Sequence, residues 1–292
     1  MNNILIDISG KIDPEEVSIL RSIKEVAEEF NIPFFVVGAF ARDVIFEHIH
    51  RIPAPRKTED IDLGVEVANW EEFGRLIGAL IERELITATK SPQRFIAKTS
   101  ATVVDIIPYG SITDETKRIS WPPDHDRIMS MLGFEEAYQS ALKVRFSNEP
   151  ILDIPVLSIP GLTLLKIISW ADAYPRRERD AQDVLFILEN YEATGIEDQL
   201  YDSYIPLLTE EGYDSRLASV RLLGRDIAQL CSPETKKKVT EILASETNED
   251  QGFKMLSHMV RGGAAFRGSR FEVVLNLLKR LLQGIREEVP RE

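Results

Sequence analysis

The stretch from Phe34 to Val67 constrains the fold of this chain more than any other. Its apolar run Phe34–Val37 has the β-branched and aromatic content of a buried strand. Gly38 ends the run, and glycine suits a turn because it accepts backbone angles that other residues resist. The next residues, 39–49, have the pattern of a short helix. We therefore expect a strand, a glycine turn and a helix, followed by a loop and a second strand.

The turn at Gly38 is a candidate phosphate site. The N–H groups at the start of a helix carry the positive end of its dipole and can hold phosphate oxygens. Arg42 lies one turn inside the predicted helix and would add positive charge. A purely structural turn from strand to helix is the alternative, and the glycine alone does not exclude it.

Two aspartates lie on the second strand of this stretch. From Asp60 to Val65, acidic or glycine positions alternate with apolar ones, which is the period of a half-buried strand. Asp60 and Asp62 therefore share one face, roughly 7 Å apart along the strand. Such a pair repels unless solvent or a cation lies between the charges. Mg²⁺ is suitable because it binds carboxylates together with substrate phosphates, and an exposed edge strand is the alternative.

A third carboxylate, Asp105, interrupts the apolar run of residues 103–107. A lone aspartate in such a run is costly to bury unless another group compensates its charge. We expect this strand to pair in antiparallel fashion with residues 95–97. If it also pairs with the strand of Asp60 and Asp62, the three acids converge on one metal site opposite the glycine turn.

The motifs of this stretch continue into a second set further along the chain. In order they are Gly38-Ala39-x-x-Arg42, Arg56-x-Thr58-x-Asp60-x-Asp62, Asp105, Lys166 in an apolar helix, and the segment from Arg176 to Asp183. This order resembles the polymerase-beta-type nucleotidyltransferase superfamily, and within it the AbiEii-type branch, which includes toxins of toxin–antitoxin systems. The likeness spans about residues 36–185. Ala39 departs from the usual glycine or serine, so only backbone amides remain there for a phosphate.

The resemblance implies a role for each of these positions. The catalytic residues would be Asp60, Asp62, Asp105 and Lys166, with the three aspartates as ligands of Mg²⁺. The nucleotide contacts would be Gly38, Ala39, Arg42, Thr58, Lys166, Asp180 and Asp183. From local chemistry alone, Lys166 could equally extend its ammonium to the surface. Without the resemblance, residues 176–183 would be interpreted as a solvated charge cluster.

The fold expected from these patterns is α+β. Residues 1–159 would form a nucleotidyltransferase domain with a mixed, twisted sheet flanked by helices. The pattern is helical from Gly161 onward, so residues 160–292 would form a helical domain. The resemblance implies that this domain completes the nucleotide and acceptor cleft. The polar segment from Ser111 to Asp126 is expected to be a loop or lid.

The function implied by the resemblance is Mg²⁺-dependent transfer of a nucleoside monophosphate from a nucleoside triphosphate to an acceptor hydroxyl. The resemblance to the toxin branch implies the 3′ end of tRNA as the acceptor and a cognate antitoxin protein as a partner. Two alternatives stay open. One is transfer to a small molecule of the aminoglycoside type, and the other is a non-catalytic nucleotide-binding or protein-interaction module.

Composition limits the partners and the compartment. The net charge of −13 over 292 residues argues against a general nucleic-acid coat protein, because non-specific affinity comes mainly from Lys and Arg. The basic stretch 261–270 is either an RNA contact or a flexible connection. A single cysteine, Cys231, permits no intrachain disulfide. We expect no membrane segment and a cytoplasmic location.

Overall fold

The computed structural model describes residues 5–251, 253–260 and 269–287. The chain divides into two compact units between Ser158 and Ile159. Most of the basic stretch 261–270 lies outside the described residues, so its two interpretations stay predictions.

The N-terminal unit is built around one mixed sheet. Its described strands are β1 (Leu5–Asp7), β2 (Phe34–Val37), β3 (Asp60–Glu66), β4 (Ile86–Ala88), β5 (Arg94–Ala97), β6 (Val103–Tyr109), β7 (Arg118–Ser120), β8 (Ile128–Ser130), β9 (Leu142–Asn148) and β10 (Ile151–Val156). Its described helices are α1 (Pro14–Glu29), α2 (Gly38–Asp43), α3 (Trp70–Glu82) and α4 (Phe134–Gln139). A π-helical segment, Val44–Ile49, follows α2 directly.

Local sequence explains where the two long helices of this unit begin. Asp13 caps α1 by accepting a hydrogen bond from the Glu15 amide, with Pro14 in the first turn. Asn69 caps α3 in the same way through the Glu72 amide. Both helices bury one apolar side, which for α3 includes Phe73, Leu76 and Leu80.

Sheet topology places the strands of interest side by side. Across the described residues the order is β1-β9-β10-β2-β3-β6-β5-β4. β3 pairs antiparallel with β2 and parallel with β6, and β5 pairs antiparallel with β6 as expected from the sequence. All four residues of β2 are buried. The predicted α+β fold with a mixed sheet is confirmed.

The expectation of an irregular loop from Ser111 to Asp126 is partly wrong. β7 lies within this segment and pairs antiparallel with β8, with Ile119 opposite Met129. Ile119 is 2% exposed, so one apolar side chain anchors an otherwise polar strand. A three-residue strand is too short to produce a period that sequence can reveal.

The C-terminal unit consists of helices in its described part. They are α5 (Ile159–Asp172), α6 (Glu178–Asn190), α7 (Ile196–Asp202), α8 (Ile205–Glu210), α9 (Ser215–Leu230), α10 (Pro233–Glu246), α11 (Lys254–Val260) and α12 (Ser269–Arg286). Short 3-10 turns lie at Glu192–Thr194 and Glu249–Gln251. Among the described residues, no helix has both the length and the apolar character needed to cross a membrane.

Candidate active site

The turn after β2 brings the backbone of Gly38 against the side chain of Asp62. Gly38 has φ +67°, a left-handed conformation that favours glycine. A Cβ atom at this position would overlap with the Asp62 carboxylate. The amide N–H of Ala39 donates to Asp62 Oδ2 at 3.1 Å. Glycine is therefore required here for two reasons: its backbone angle and the close approach of an aspartate.

The three predicted aspartates lie on one face of the sheet. β3 and β6 are parallel, and Asp62 is the direct neighbour of Asp105 in their register. Neighbours in adjacent strands point to the same side, and so do positions two apart in one strand. Asp60 thus joins the other two. The Asp105 side chain is mostly buried at 13% exposure, whereas that of Asp60 is 35% exposed.

Arg94, the first residue of β5, links two of these acids. Its Nε donates to Asp105 Oδ1 at 2.9 Å, and its Nη2 donates to Asp105 Oδ2 at 2.7 Å. The same Nη2 also donates to Asp60 Oδ2 at 3.0 Å. Hydrogen bonding to Asp105 raises the pKa of the Arg94 guanidinium, and the charges of Asp105, Asp60 and Asp62 act in the same direction. A permanently charged arginine therefore partly neutralises the acidic face.

The donor set of this face fits a divalent cation in its chemistry. Three carboxylates supply the hard oxygen ligands that Mg²⁺ prefers, and the guanidinium among them shows that the position holds positive charge. Among the described residues, no three acidic, histidine or cysteine side chains already form a metal-binding group. Arg94 occupies oxygens of Asp60 and Asp105, and Asp62 is held by the Ala39 amide. The acids share a face but are not gathered around one point.

Arg42, predicted to contact the nucleotide, is fully buried. Its Nε donates to Asp43 Oδ1 at 2.8 Å, and its Nη2 donates to the Arg56 carbonyl at 2.8 Å. Asp43 Oδ2 accepts from the Thr58 amide at 3.0 Å. Burial raises the pKa of Asp43, although Arg42 opposes the shift. In this position Arg42 and Asp43 fasten the loop that leads into β3, and Thr58 contributes its backbone to that contact.

In the helical unit, Lys166 of α5 lies between two acids of α6. Its Nζ is 2.7 Å from Asp180 Oδ1 and 2.9 Å from Asp183 Oδ2. All three side chains are at most 10% exposed. Burial disfavours the ammonium, but the two carboxylates outweigh this effect and raise the pKa of Lys166. The structure thus brings together the three residues that sequence assigned to this unit.

Sequence reasoning missed Arg94 and Asp43. A signal for Arg94 was available, because antiparallel pairing of residues 95–97 with β6 places the preceding residue opposite Asp105. Asp43 offered none, because an aspartate beside an arginine on a short helix has the pattern of an ordinary surface pair.

A family model for the nucleotidyl transferase AbiEii toxin of type IV toxin–antitoxin systems matches residues 21–276. The matched span contains the Gly38 turn, the strands of the three aspartates and the Lys166 cluster. This match defines the class of the protein as a nucleotidyltransferase. The chain belongs to the AbiEii nucleotidyltransferase toxin family, and the resemblance drawn from its motifs is confirmed.

Comparison with solved structures gave distant similarities. The antibiotic-resistance factor ANT(2″)-Ia, in a solution structure, is 14% identical, with 69% of this chain and 99% of that chain covered and a TM-score of 0.33. A CCA-adding enzyme in complex with ATP is 15% identical, with 92% and 70% covered and a TM-score of 0.32. The Thermotoga maritima CCA-adding enzyme complexed with tRNA is 13% identical, with 94% and 82% covered and a TM-score of 0.28. Curated proteins yielded no match. Similarity at this level transfers no residue roles.

Proposed function

We propose that this nucleotidyltransferase transfers a nucleoside monophosphate from a nucleoside triphosphate to an acceptor hydroxyl, with Mg²⁺ held by Asp60, Asp62 and Asp105. One observation carries the proposal: these carboxylates, from two adjacent strands, share one face of the sheet beside the Gly38 turn. Mg²⁺ typically binds one or two carboxylates together with the phosphates of its substrate. When bound, the ion would supply charge neutralisation to the phosphates.

Each residue of this face has a proposed task. Asp62 is oriented by the Ala39 amide, so its carboxylate has a fixed direction toward the turn. Asp105 would accept the proton of the acceptor hydroxyl. Gly38 and Ala39 would lie beside the phosphates. Arg42 is buried, so its contribution would come through the loop that carries Thr58.

The reaction exchanges one phosphorus–oxygen bond for another. The acceptor oxygen forms a bond to the α-phosphorus, and the bond from that phosphorus to the bridging oxygen of the β-phosphate breaks. Pyrophosphate leaves with the electron pair of the broken bond, and the hydroxyl proton passes to Asp105. For Lys166, Asp180 and Asp183 we keep the nucleotide contact that family resemblance implies; what supports it is that the three side chains form one cluster, with Lys166 Nζ 2.7 Å from Asp180 Oδ1 and 2.9 Å from Asp183 Oδ2.

The acceptor we propose is the 3′ end of an RNA such as tRNA, as the resemblance to the toxin branch implies. A second candidate is a small polycationic hydroxyl compound of the aminoglycoside type. The net charge of −13 favours this second candidate, because an acidic chain attracts cations and repels polyanions. We further propose a cognate antitoxin protein as a partner, and a cytoplasmic location, where nucleoside triphosphates are available.

The test is incubation of the full chain with Mg²⁺ and each α-labelled nucleoside triphosphate, in the presence of total RNA or an aminoglycoside. Label on RNA supports the first acceptor, and label on the small molecule supports the second. Asp62→Asn should lower the rate by about 100-fold or more. Glu66→Gln is the matched control, because Glu66 is an exposed acid at the far end of β3. Equal activity of wild type and Asp62→Asn would overturn the metal assignment.

A further inference from the structure

Arg94 engages the same oxygens that a divalent ion would need. Its two hydrogen bonds to Asp105 use both carboxylate oxygens, and its third reaches Asp60. Mg²⁺ requires ligand oxygens at about 2.1 Å, which a guanidinium in hydrogen-bond contact obstructs. Arginine and metal ion therefore compete for the oxygens of Asp60 and Asp105.

We propose that Arg94 is a built-in counter-cation that competes with the divalent ion for Asp60 and Asp105 and is displaced when metal and nucleotide bind together. The inference rests on the proposed metal site. In the absence of metal, Arg94 holds β3, β5 and β6 together across the acidic face. A metal ion that binds Asp60 and Asp105 then has to displace Arg94 from its ion pairs with both acids.

Release of Arg94 is physically inexpensive. Its side chain is 42% exposed, so solvent already reaches part of it before any displacement. Partly exposed ion pairs contribute little stability, since solvent screens them. A guanidinium also binds phosphate in a bidentate manner, as it binds a carboxylate. A nucleoside triphosphate therefore gives Arg94 a new anionic partner at the moment when the metal takes its old ones.

The consequence is coupling between the two ligands. Metal alone has to displace Arg94 from its carboxylate partners and therefore binds weakly. When a triphosphate binds with the metal, the displaced guanidinium pairs with phosphate oxygens instead. Two partly exposed ion pairs correspond to a loss of metal affinity of roughly 3- to 10-fold. Arg94 would thus lower the affinity for metal when no nucleotide is bound. Its role is one of positioning and regulation.

The experiment titrates the full chain with Mn²⁺ and measures free Mn²⁺ by electron paramagnetic resonance, with and without a non-hydrolysable nucleoside triphosphate. Arg94→Gln should bind Mn²⁺ alone about 3- to 10-fold more tightly than wild type, and this advantage should shrink when the nucleotide is present. Arg94→Lys, which keeps one charge without the bidentate geometry, should fall in between. Thermal unfolding in a chelator should show a lower midpoint for Arg94→Gln, because the acids then lack their counter-charge.

Two controls separate this inference from the proposed function. Arg127→Gln removes an equal charge nearby, from a guanidinium that donates to Gln93, and should leave Mn²⁺ affinity near the wild-type value. Asp105→Asn should weaken Mn²⁺ binding strongly. If Asp105→Asn weakens binding but both Arg94 variants match wild type, the inference on Arg94 is wrong and the metal site stands. If Asp105→Asn changes nothing, the metal site fails and the inference fails with it.

Discussion

Asp62 and Gly38 depend on each other at the level of single atoms. The Asp62 carboxylate lies where a Cβ of residue 38 would be, and the next amide donates to it. The φ of +67° at Gly38 is what directs that amide toward the acid. The geometry of the candidate site is therefore set by the absence of one methyl group.

Gly38→Ala should lower both stability and activity. The left-handed backbone angle costs a non-glycine residue roughly 1–2 kcal/mol, and the new methyl group displaces Asp62. Gly195→Ala is the matched control, because Gly195 has φ +88° but a Cβ there would meet no atom within 4 Å. Urea unfolding should show a loss of stability for both variants, larger for Gly38→Ala because its methyl group also meets Asp62, and only Gly38→Ala should lose nucleotidyl transfer. Normal activity of Gly38→Ala would show that the position of Asp62 does not matter.

Lys166 links stability to alkaline pH. Its pKa in the folded chain is raised above the ordinary 10.5, since the charges of Asp180 and Asp183 outweigh burial. A raised pKa of a basic group means that its stabilising contribution is complete below 10.5 and is lost as the pH rises through the higher folded value. Lys166→Met should lower the free energy of unfolding near neutral pH by roughly 3–5 kcal/mol.

Urea unfolding at about pH 8 and at about pH 11 would measure this effect. The difference in the free energy of unfolding between wild type and Lys166→Met should be smaller at the higher pH. The triple variant that also carries Asp180→Asn and Asp183→Asn removes the unpaired charges and should recover much of the lost stability. A difference that is independent of pH would contradict a charged Lys166.

At the level of elements, α9 and α12 pack with their backbones in close contact. A Cβ on Gly224 would overlap with the Leu281 carbonyl, and one on Gly284 would overlap with the Arg221 carbonyl. Two glycines, one on each helix, therefore permit the approach. Around this contact, Arg221 and Arg225 pair with Glu287, which follows α12.

Gly284→Ala should destabilise the helical unit by roughly 1–3 kcal/mol, because the added methyl group forces packed backbones apart. Gly74→Ala on α3 is the control, since nothing lies within 4 Å of a Cβ there. Alanine favours the helix over glycine, so this change should stabilise the chain by roughly 0.5–1 kcal/mol. Calorimetric unfolding should show a loss of stability for Gly284→Ala and a gain for Gly74→Ala. Unchanged stability of Gly284→Ala would contradict the close packing.

Periodicity made the strands around the candidate site predictable, and their pairing made the acidic face predictable. The alternation around Asp60 and Asp62 fixes their common side, and the apolar run around Asp105 marks a buried strand. Arg94 was missed because the expected pairing with β6 covered only residues 95–97, whereas the register places the preceding residue opposite Asp105. Asp43 and the short strand β7 were missed because neither leaves a periodic signal.

For the whole molecule, charge limits how an RNA acceptor is bound. A chain with a net charge of −13 repels a polyanion, so only a few local cations would contact phosphates. RNA affinity should therefore be weak and should depend only shallowly on salt, with a slope equivalent to about two or three phosphate contacts. Filter binding at several salt concentrations would measure it. A steep slope would instead indicate an extended basic surface.

In the proposed mechanism, the acidic face beside Gly38 transfers a nucleoside monophosphate. Its most direct test compares α-labelled with γ-labelled nucleoside triphosphate in the same reaction, for wild type, Asp105→Asn and Glu66→Gln. We expect α-label on the acceptor and γ-label in released pyrophosphate for wild type and Glu66→Gln, with both signals lost in Asp105→Asn. Transfer of the γ-label to the acceptor, or full transfer of the α-label by Asp105→Asn, would contradict this mechanism.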